Sequence, residues 1–223
     1  ATEYTDERYN PGMGFVRQSN VIRHNPGGYY IWRPKKINWI WRWDPGLFAN
    51  YNQDASDPSS FQQASIWFFP IWTFFKDRSF LEFSIIPTWQ NINFDFAPLG
   101  IRIAQDNYFY TRYRVSYKTD QSKKWSINVG YDWGNFYNGD RSTLTFSGRL
   151  APIPHAAITL DYEYNDIRGL GQEQMDLQTN LITLGSRFAL NPRLQLSIFY
   201  QYNSFDQQGR WNVRGSWEYQ PLS

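Results

Sequence analysis

Cysteine is absent from this chain of 223 residues, and histidine and methionine each occur only twice. Without cysteine the chain has no disulfide, no thiol catalysis and no cysteine-ligated zinc site. The two histidines, His24 and His155, show no metal-ligand spacing, because no second histidine follows either one at a motif distance. We therefore expect no metal and no other cofactor.

A strong excess of one charge is also missing. The 22 Lys and Arg residues nearly balance the 20 Asp and Glu residues, and both signs are scattered along the chain. A nucleic-acid-binding domain normally carries a clustered basic excess, so we expect no nucleic-acid partner. Disorder is excluded as well, since 20% of the residues are aromatic.

Long apolar runs are lacking too. The longest, over residues 64–75, contains Pro70 and is too short for a membrane-spanning helix, and the mean hydropathy is -0.63. No signal peptide is visible, so we expect a chain that is mature or excised from a longer protein.

The main signal present is the alternation of apolar and polar residues in segments of about ten, which is typical of β-strands. In residues 156–165, Ile158, Leu160 and Tyr162 share one face, while Asp161 and Glu163 share the other. The same pattern predicts strands near 125–134, 142–150, 177–190, 194–203 and 211–220. The first half is less regular, and its predicted strands lie near 14–23, 28–34, 37–51, 61–75, 79–90 and 107–118.

Tight connections are predicted at 76–79, 119–124, 151–155 and 191–193, alternating with longer polar loops near 91–106, 135–141, 166–176 and 204–210. Short turns on one edge and longer loops on the other are typical of outer-membrane barrels. We predict an all-β fold: an antiparallel up-and-down transmembrane β-barrel of at least about twelve strands. It forms a single domain over residues 1–223, and residues 1–12 are a polar tail or loop.

Aromatic residues concentrate at the strand ends, with aliphatic residues between them. Such a double girdle is set by the two interfaces of a membrane, where amphipathic rings are favoured. The predicted interface aromatics are Trp125, Trp133, Tyr162, Tyr164, Tyr200, Tyr202, Trp211, Trp217 and Tyr219.

The opposite face mixes small polar residues with both signs of charge, which fits the lumen of a barrel; a solvated outer face is the alternative. We expect ion pairs between Glu163 and Arg187 and between Arg214 and Glu218. The predicted lumen-facing residues are Arg112, Arg114, Asp132, Arg149, Asp161, Glu163, Arg187, Arg214 and Glu218.

Two segments carry a resemblance to a known family. Residues 14–35 open with Gly-Phe-Val-Arg, and residues 200–223 contain Tyr-Asn-Ser, Asn-Val-Arg and Trp-Glu-Tyr-Gln-Pro. Both resemble the β-barrel domain of unknown function that follows a family-9-like carbohydrate-binding domain in outer-membrane proteins of Gram-negative bacteria. The resemblance implies a fragment of such a protein, a glycan-related context and no catalytic residues that can be carried over. It also implies contact with glycans through an N-terminal domain absent from this sequence.

Together these patterns favour a channel, a transport component or a membrane anchor in the outer membrane of a Gram-negative bacterium. The partners are then the bilayer with its lipopolysaccharide and other outer-membrane proteins. One alternative is an outer-membrane enzyme, a membrane-associated hydrolase, with Asp132, Asp161 and Glu163 at the barrel rim. Another is a soluble β-sandwich that binds polysaccharide, for which a tryptophan row at residues 39, 41 and 43 would be the platform. That row is also consistent with a lipid-facing surface, which we favour.

Overall fold

The computed structural model describes residues 1–6, 20–94, 96–191 and 193–218. The described chain is all-β, and its strands form one antiparallel sheet of 14 strands. Among the described residues, one 3-10 turn covers Pro98–Gly100. The strands are β1 (Thr2–Thr5), β2 (Val21–His24), β3 (Gly27–Tyr29), β4 (Ile40–Trp43), β5 (Gly46–Asp54), β6 (Phe61–Phe75), β7 (Phe80–Ile92), β8 (Asp106–Lys118), β9 (Trp125–Phe136), β10 (Gly139–Ile153), β11 (Ala156–Leu170), β12 (Met175–Asn191), β13 (Leu194–Asn203) and β14 (Gln208–Trp217).

The sheet is a meander, which confirms the predicted antiparallel up-and-down order. From β5 to β14 each strand pairs with the next along the chain, while β3 pairs with β5 and β4 pairs with β6 beside this path. Within the described residues β1 pairs only with β2 and β14 only with β13, so the sheet in this structure is open.

The predicted strand at 37–51 is wrong as a single unit, because it divides into β4 and β5 at Asp44 and Pro45. Proline lacks the N–H that a ladder needs and is confined to edges and bulges. The predicted strand at 14–23 lies largely outside the described residues, and only its end falls in β2.

Two of the predicted long loops, 135–141 and 166–176, are wrong, and the predicted loop at 204–210 is too long. The strands continue through much of the first two and into the end of the third, and leave only residues 137–138, 171–174 and 204–207 as turns. Polar side chains do not prevent backbone pairing: Asn135 pairs with Asp140, and its amide donates to the Asp140 carboxylate at 3.0 Å. The β7–β8 connection is the one predicted long loop that remains long in the described chain.

Alternation along the strands gives the sheet an apolar face and a polar face. Leu160, Leu184 and Tyr200 are register neighbours across β11, β12 and β13 and lie on the apolar face. Asp161 and Thr183, one position along the same strands, are paired on the polar face.

The apolar side chains of this sheet are largely exposed. Leu184 is 43% exposed, and the whole chain has an accessible surface of 15151 Å². A soluble monomer of 26.6 kDa is expected to expose only about 10,700 Å². Within the described residues, therefore, no second layer covers the apolar face of the sheet.

The buried apolar cluster is small and local. Ile101 and Ile103, from the β7–β8 connection, pack against Ile167 and Leu170 of β11. We call residues 96–105 of this connection the inner loop, because the side chains that it contacts belong mainly to the polar face.

Two tight turns share an Asp-Xaa-Ser motif. Asp77 accepts hydrogen bonds from the Ser79 hydroxyl at 2.6 Å and its amide at 2.9 Å, and Asp120 accepts from the Ser122 hydroxyl at 2.7 Å and its amide at 2.9 Å. These bonds favour the charged carboxylate and lower the pKa of both aspartates. Such turns fix the hairpins at one edge of the sheet.

Candidate functional site: the polar face beneath the inner loop

A hydrogen-bonded network of side chains spans β10, β11 and β12 on the polar face. Arg141 donates to Asn165 Oδ1 at 3.0 Å, and Thr143 donates to the same oxygen at 2.7 Å. The Asn165 amide donates to Glu163 Oε1 at 2.8 Å and to Thr179 Oγ1 at 3.3 Å. The network therefore fixes polar groups in defined positions beneath the inner loop.

Strand register explains why these residues meet. Thr143 is paired with Asn165, and Asn165 is paired in turn with Thr179. Residues paired directly across a ladder have Cβ atoms about 5 Å apart, which suits short polar side chains.

Two arginines of β8 extend the polar surface to β8 and β9. Arg114 Nε lies 2.7 Å from Asp132 Oδ1, because the two residues are register partners. Arg112 donates to the backbone carbonyls of Gly134, at 2.9 Å, and of Arg141. Its guanidinium is thus held across the ends of β9 and β10.

The inner loop crosses β9 and β10 to reach the β11–β12 turn. The Gln172 amide donates to Arg102 O at 2.9 Å, and the Ile103 amide donates to Phe96 O at 2.9 Å. Asn138 and Gly171 exchange two hydrogen bonds, at 2.8 and 2.9 Å. The bond from Gln172 to Arg102 and the isoleucine cluster fix the loop over the polar face.

Aromatic rings close one side of this region. Tyr137 meets Phe96 edge to face at 5.8 Å and Tyr108 at 5.3 Å between ring centroids. Burial of its hydroxyl raises the pKa of Tyr137, so the ring stays neutral.

A cavity of about 410 Å³ lies between the inner loop and the sheet. Pro98 and Leu99 of the loop face it, with Glu163 and Asn165 from the network and Phe205 from the β13–β14 turn. Fixed polar groups beside apolar walls can orient a small polar solute or ordered water.

The predicted ion pairs are wrong. Glu163 is paired with Leu181 in β12, whereas Arg187 is paired with Ala157, near the opposite end of the strand. Arg187 donates instead to the Gln195 side chain at 3.2 Å. Arg214 lies beside Ser197, and Glu218 follows the end of β14.

The other polar residues predicted from the sequence lie on the polar face, as the alternation indicates, but they do not come together in a single site. Asp161 and Glu163 share the polar face of β11, and Asp132 is engaged by Arg114. Arg149 lies on β10 opposite Thr159.

The predicted interface aromatics lie on the apolar face, in rows that descend across the sheet. We measure each position from the edge of the sheet that carries the 137–138 turn, following the ladder pairs from strand to strand. Tyr164 on β11 lies two residues further from this edge than Trp133 on β9. Tyr202 on β13 and Trp211 on β14 lie further from it still. The predicted residues described on this face are Trp125, Trp133, Tyr162, Tyr164, Tyr200, Tyr202, Trp211 and Trp217; Tyr219 lies outside the described residues.

The tryptophan row at residues 39, 41 and 43 is wrong, because a bulge between Ile40 and Arg42 interrupts β4. Trp39 stacks on Phe75 and Trp41 meets Phe74, and these two consecutive phenylalanines point to opposite faces of β6.

Sequence reasoning missed Arg141, Thr143, Asn165 and Thr179. The alternation of their strands could have placed them on the polar face. It could not have given the ladder register that brings them together. The inner loop was missed because its partners in β11 and the β11–β12 turn lie more than sixty residues away in the chain.

In the described ranges no group of three or more His, Asp or Glu side chains could hold a metal ion. The described chain also contains no helix long and apolar enough to span a bilayer. His24 contacts Thr2 Oγ1 at 3.1 Å, and the carbonyl of His155 accepts from the Ala189 amide.

The fold and site define a large antiparallel meander sheet with one exposed apolar face and one hydrogen-bonded polar face. Comparison with known proteins adds no relative: no family model, no curated protein and no solved structure matches this chain.

Proposed function

We propose that this chain is a β-barrel protein of the outer membrane of a Gram-negative bacterium. The sheet closes around its polar face, and the protein serves as a channel, a transport component or a membrane anchor. Its immediate partners are then the lipid bilayer with lipopolysaccharide and other outer-membrane proteins.

The observation that carries this proposal is the exposed apolar face. Leu150, Ile158, Leu184 and Val213 are between 43% and 63% exposed, although they belong to different strands. Exposed apolar patches larger than a few hundred Å² mark interaction or membrane surfaces. Here the surface extends across the sheet, as contact with hydrocarbon requires.

The spacing of the aromatic rings is comparable with the apolar band of an outer-membrane barrel. Trp125 and Trp133 lie at the two ends of the apolar stretch of β9. Eight residues at about 3.3 Å each separate them by about 26 Å along the strand, which a barrel tilt of about 40° reduces to about 20 Å along the membrane normal. The apolar band of an outer-membrane barrel is about 25 Å tall.

The descending rows support strand tilt. The upper aromatics shift by two residues between β9 and β11 and again between β11 and β13. In a barrel the strands are tilted, so a ring parallel to the membrane crosses successive strands at shifted positions.

Closure satisfies the outer edges of β1 and β14, whose backbone groups have no ladder partner within the described residues. Unpaired backbone groups are costly in hydrocarbon, so a spanning sheet must close on itself or on further strands. The glycan-related context rests on the resemblance of residues 14–35 and 200–223.

The experiment is cell fractionation followed by detergent extraction and gel electrophoresis without boiling. We expect the chain in the outer-membrane fraction, dependent on detergent, with a band that shifts on heating. A monomer that stays soluble without detergent contradicts the proposal and favours the polysaccharide-binding sandwich.

Conductance in planar bilayers then separates a channel from an anchor. The informative variant replaces residues 96–105 with a short Gly-Ser linker, which uncovers the polar face. A channel shows a larger conductance in this variant than in the parent chain, whereas an anchor passes no current in either.

A further inference from the structure

A second cavity, of about 170 Å³, lies on the same polar face, in the N-terminal part of the sheet around β4 to β6. We call it the β4–β6 pocket. Arg42 and Asp44 supply its polar groups, and Phe48, Trp67 and Trp72 are among the rings that line it. It is separate from the cavity beneath the inner loop, and no residue lines both.

The backbone fixes Asp44 in this pocket. Its amide donates to Trp72 O at 2.8 Å, which holds the residue at the point where β4 ends beside β6. The Asp44 side chain is only 4% exposed, and its Oδ2 lies 2.8 Å from Arg42 Nε. This contact is an ion pair without an aligned N–H bond, since Arg42 Nε has no hydrogen-bond acceptor among the described residues.

Besides Arg42 Nε, two buried polar atoms of the pocket-lining residues lack a hydrogen-bond partner in the part of the chain that the structure describes. They are Asp44 Oδ1, an acceptor, and Trp67 Nε1, a donor. Buried polar groups in folded proteins nearly always pair with protein groups, ordered water or a ligand, so these two atoms indicate a group that supplies both a donor and an acceptor.

The walls of the pocket are aromatic. The Trp67 and Trp72 rings are 5.3 Å apart edge to face, and Phe69 lies 4.9 Å from Trp67. Phe48 is stacked on Phe69 at 5.9 Å. A ligand must therefore present apolar C–H surface to these rings as well as polar groups to Asp44 and Trp67.

Charge narrows the ligand class further. Arg42 already neutralises Asp44, and a cation offers no acceptor to the Trp67 N–H. An anion offers no donor to Asp44 and meets its negative charge. A neutral hydroxylated ring satisfies both atoms, because each hydroxyl both donates and accepts.

We propose that the β4–β6 pocket is a saccharide subsite that holds one pyranose ring. Hydroxyl groups of the ring donate to Asp44 Oδ1 and accept from Trp67 Nε1, and its C–H face packs on the aromatic walls. The volume of about 170 Å³ suits a single sugar ring. This assignment does not depend on the location of the chain in a membrane.

The test measures binding of neutral methyl glycosides to the full chain by saturation-transfer NMR and calorimetry. The detergent is a polyoxyethylene type, because the sugar headgroup of a maltoside would compete. Choline and inorganic phosphate are the cationic and anionic comparison ligands. We expect saturable binding of at least one glycoside in the millimolar range or tighter, and none of choline or phosphate.

Two variants locate the site. Trp67→Phe keeps an aromatic ring and removes the N–H, and Asp44→Asn keeps the size and removes the charge. Loss of one hydrogen bond to a charged or buried group predicts about tenfold weaker binding in each. Trp89→Phe, on the apolar face, is the matched control and leaves the affinity unchanged.

Three results overturn the proposal: no glycoside binds, choline binds while glycosides do not, or the control weakens binding as much as the pocket variants. If Trp67→Phe lowers the unfolding midpoint strongly, Asp44→Asn decides alone. A soluble chain that binds glycosides contradicts the membrane proposal and leaves this one intact.

Discussion

Replacing Leu184 with arginine tests which face of the sheet meets hydrocarbon. Leu184 is 43% exposed and lies near the middle of β12, between Leu160 and Tyr200 on the apolar face. An arginine on the lipid face near the membrane midplane costs about 2–4 kcal/mol. At 1.4 kcal/mol per factor of ten, Leu184→Arg shifts the folding equilibrium about 30-fold to 700-fold towards the unfolded state.

Two matched variants calibrate this cost. Thr183→Arg places the same charge on the polar face opposite Asp161, and we expect a change below about 1 kcal/mol. Leu194→Arg places it at the first residue of β13, beside a turn, where the cost falls to about 0–1 kcal/mol.

The assay is urea unfolding of the chain refolded in lipid vesicles, followed by tryptophan fluorescence and band mobility. Equal costs for Leu184→Arg and Thr183→Arg refute the assignment of the faces. A Leu184→Arg cost that is unchanged without lipid refutes contact with the bilayer.

Three further predictions concern stability. Gly171→Ala puts a Cβ 2.5 Å from the Ile101 side chain at a φ of +78° and lowers the unfolding midpoint, whereas Gly215→Ala meets nothing within 4 Å and serves as its control in the same thermal melts. A double-mutant cycle on Arg114 and Asp132 gives a coupling of about 0.2–1 kcal/mol, because the arginine is 45% exposed; a coupling above about 2 kcal/mol contradicts this solvent-screened assignment. Asp120→Asn destabilises the chain at pH 7, because the charged carboxylate of Asp120, whose pKa is lowered, stabilises the folded state above the ordinary carboxyl pKa. This difference from the parent disappears as the pH falls below the lowered pKa. A pH-independent difference in urea midpoints argues against this prediction.

The strands were predictable from the sequence because their signal is local. Ile158, Leu160 and Tyr162 alternate with Asp161 and Glu163 within one segment, and period-2 alternation needs no knowledge of the neighbouring strand. Strand ends were harder, since Asn135 and Asp140 continue the ladder although their side chains are typical of loops.

Pairwise contacts on the polar face were not predictable in the same way. Whether Glu163 meets Arg187 or Leu181 depends on the register, and register follows from the turn geometry and from bulges, such as the shift between Ile167 and Leu170. The β4–β6 pocket depends on the position of Asp44 beside Trp72, which no periodic pattern encodes.

The inner loop also has a mechanical consequence for the sheet. Its end is covalently joined to β8, while Ile101 and Ile103 are fixed to β11. Three strand spacings of about 4.8 Å separate these points along the sheet, so the loop crosses over β9 and β10 and links β8 to β11 directly. Flattening that part of the sheet would pull the isoleucines away from β11, so the contacts of residues 96–105 oppose flattening.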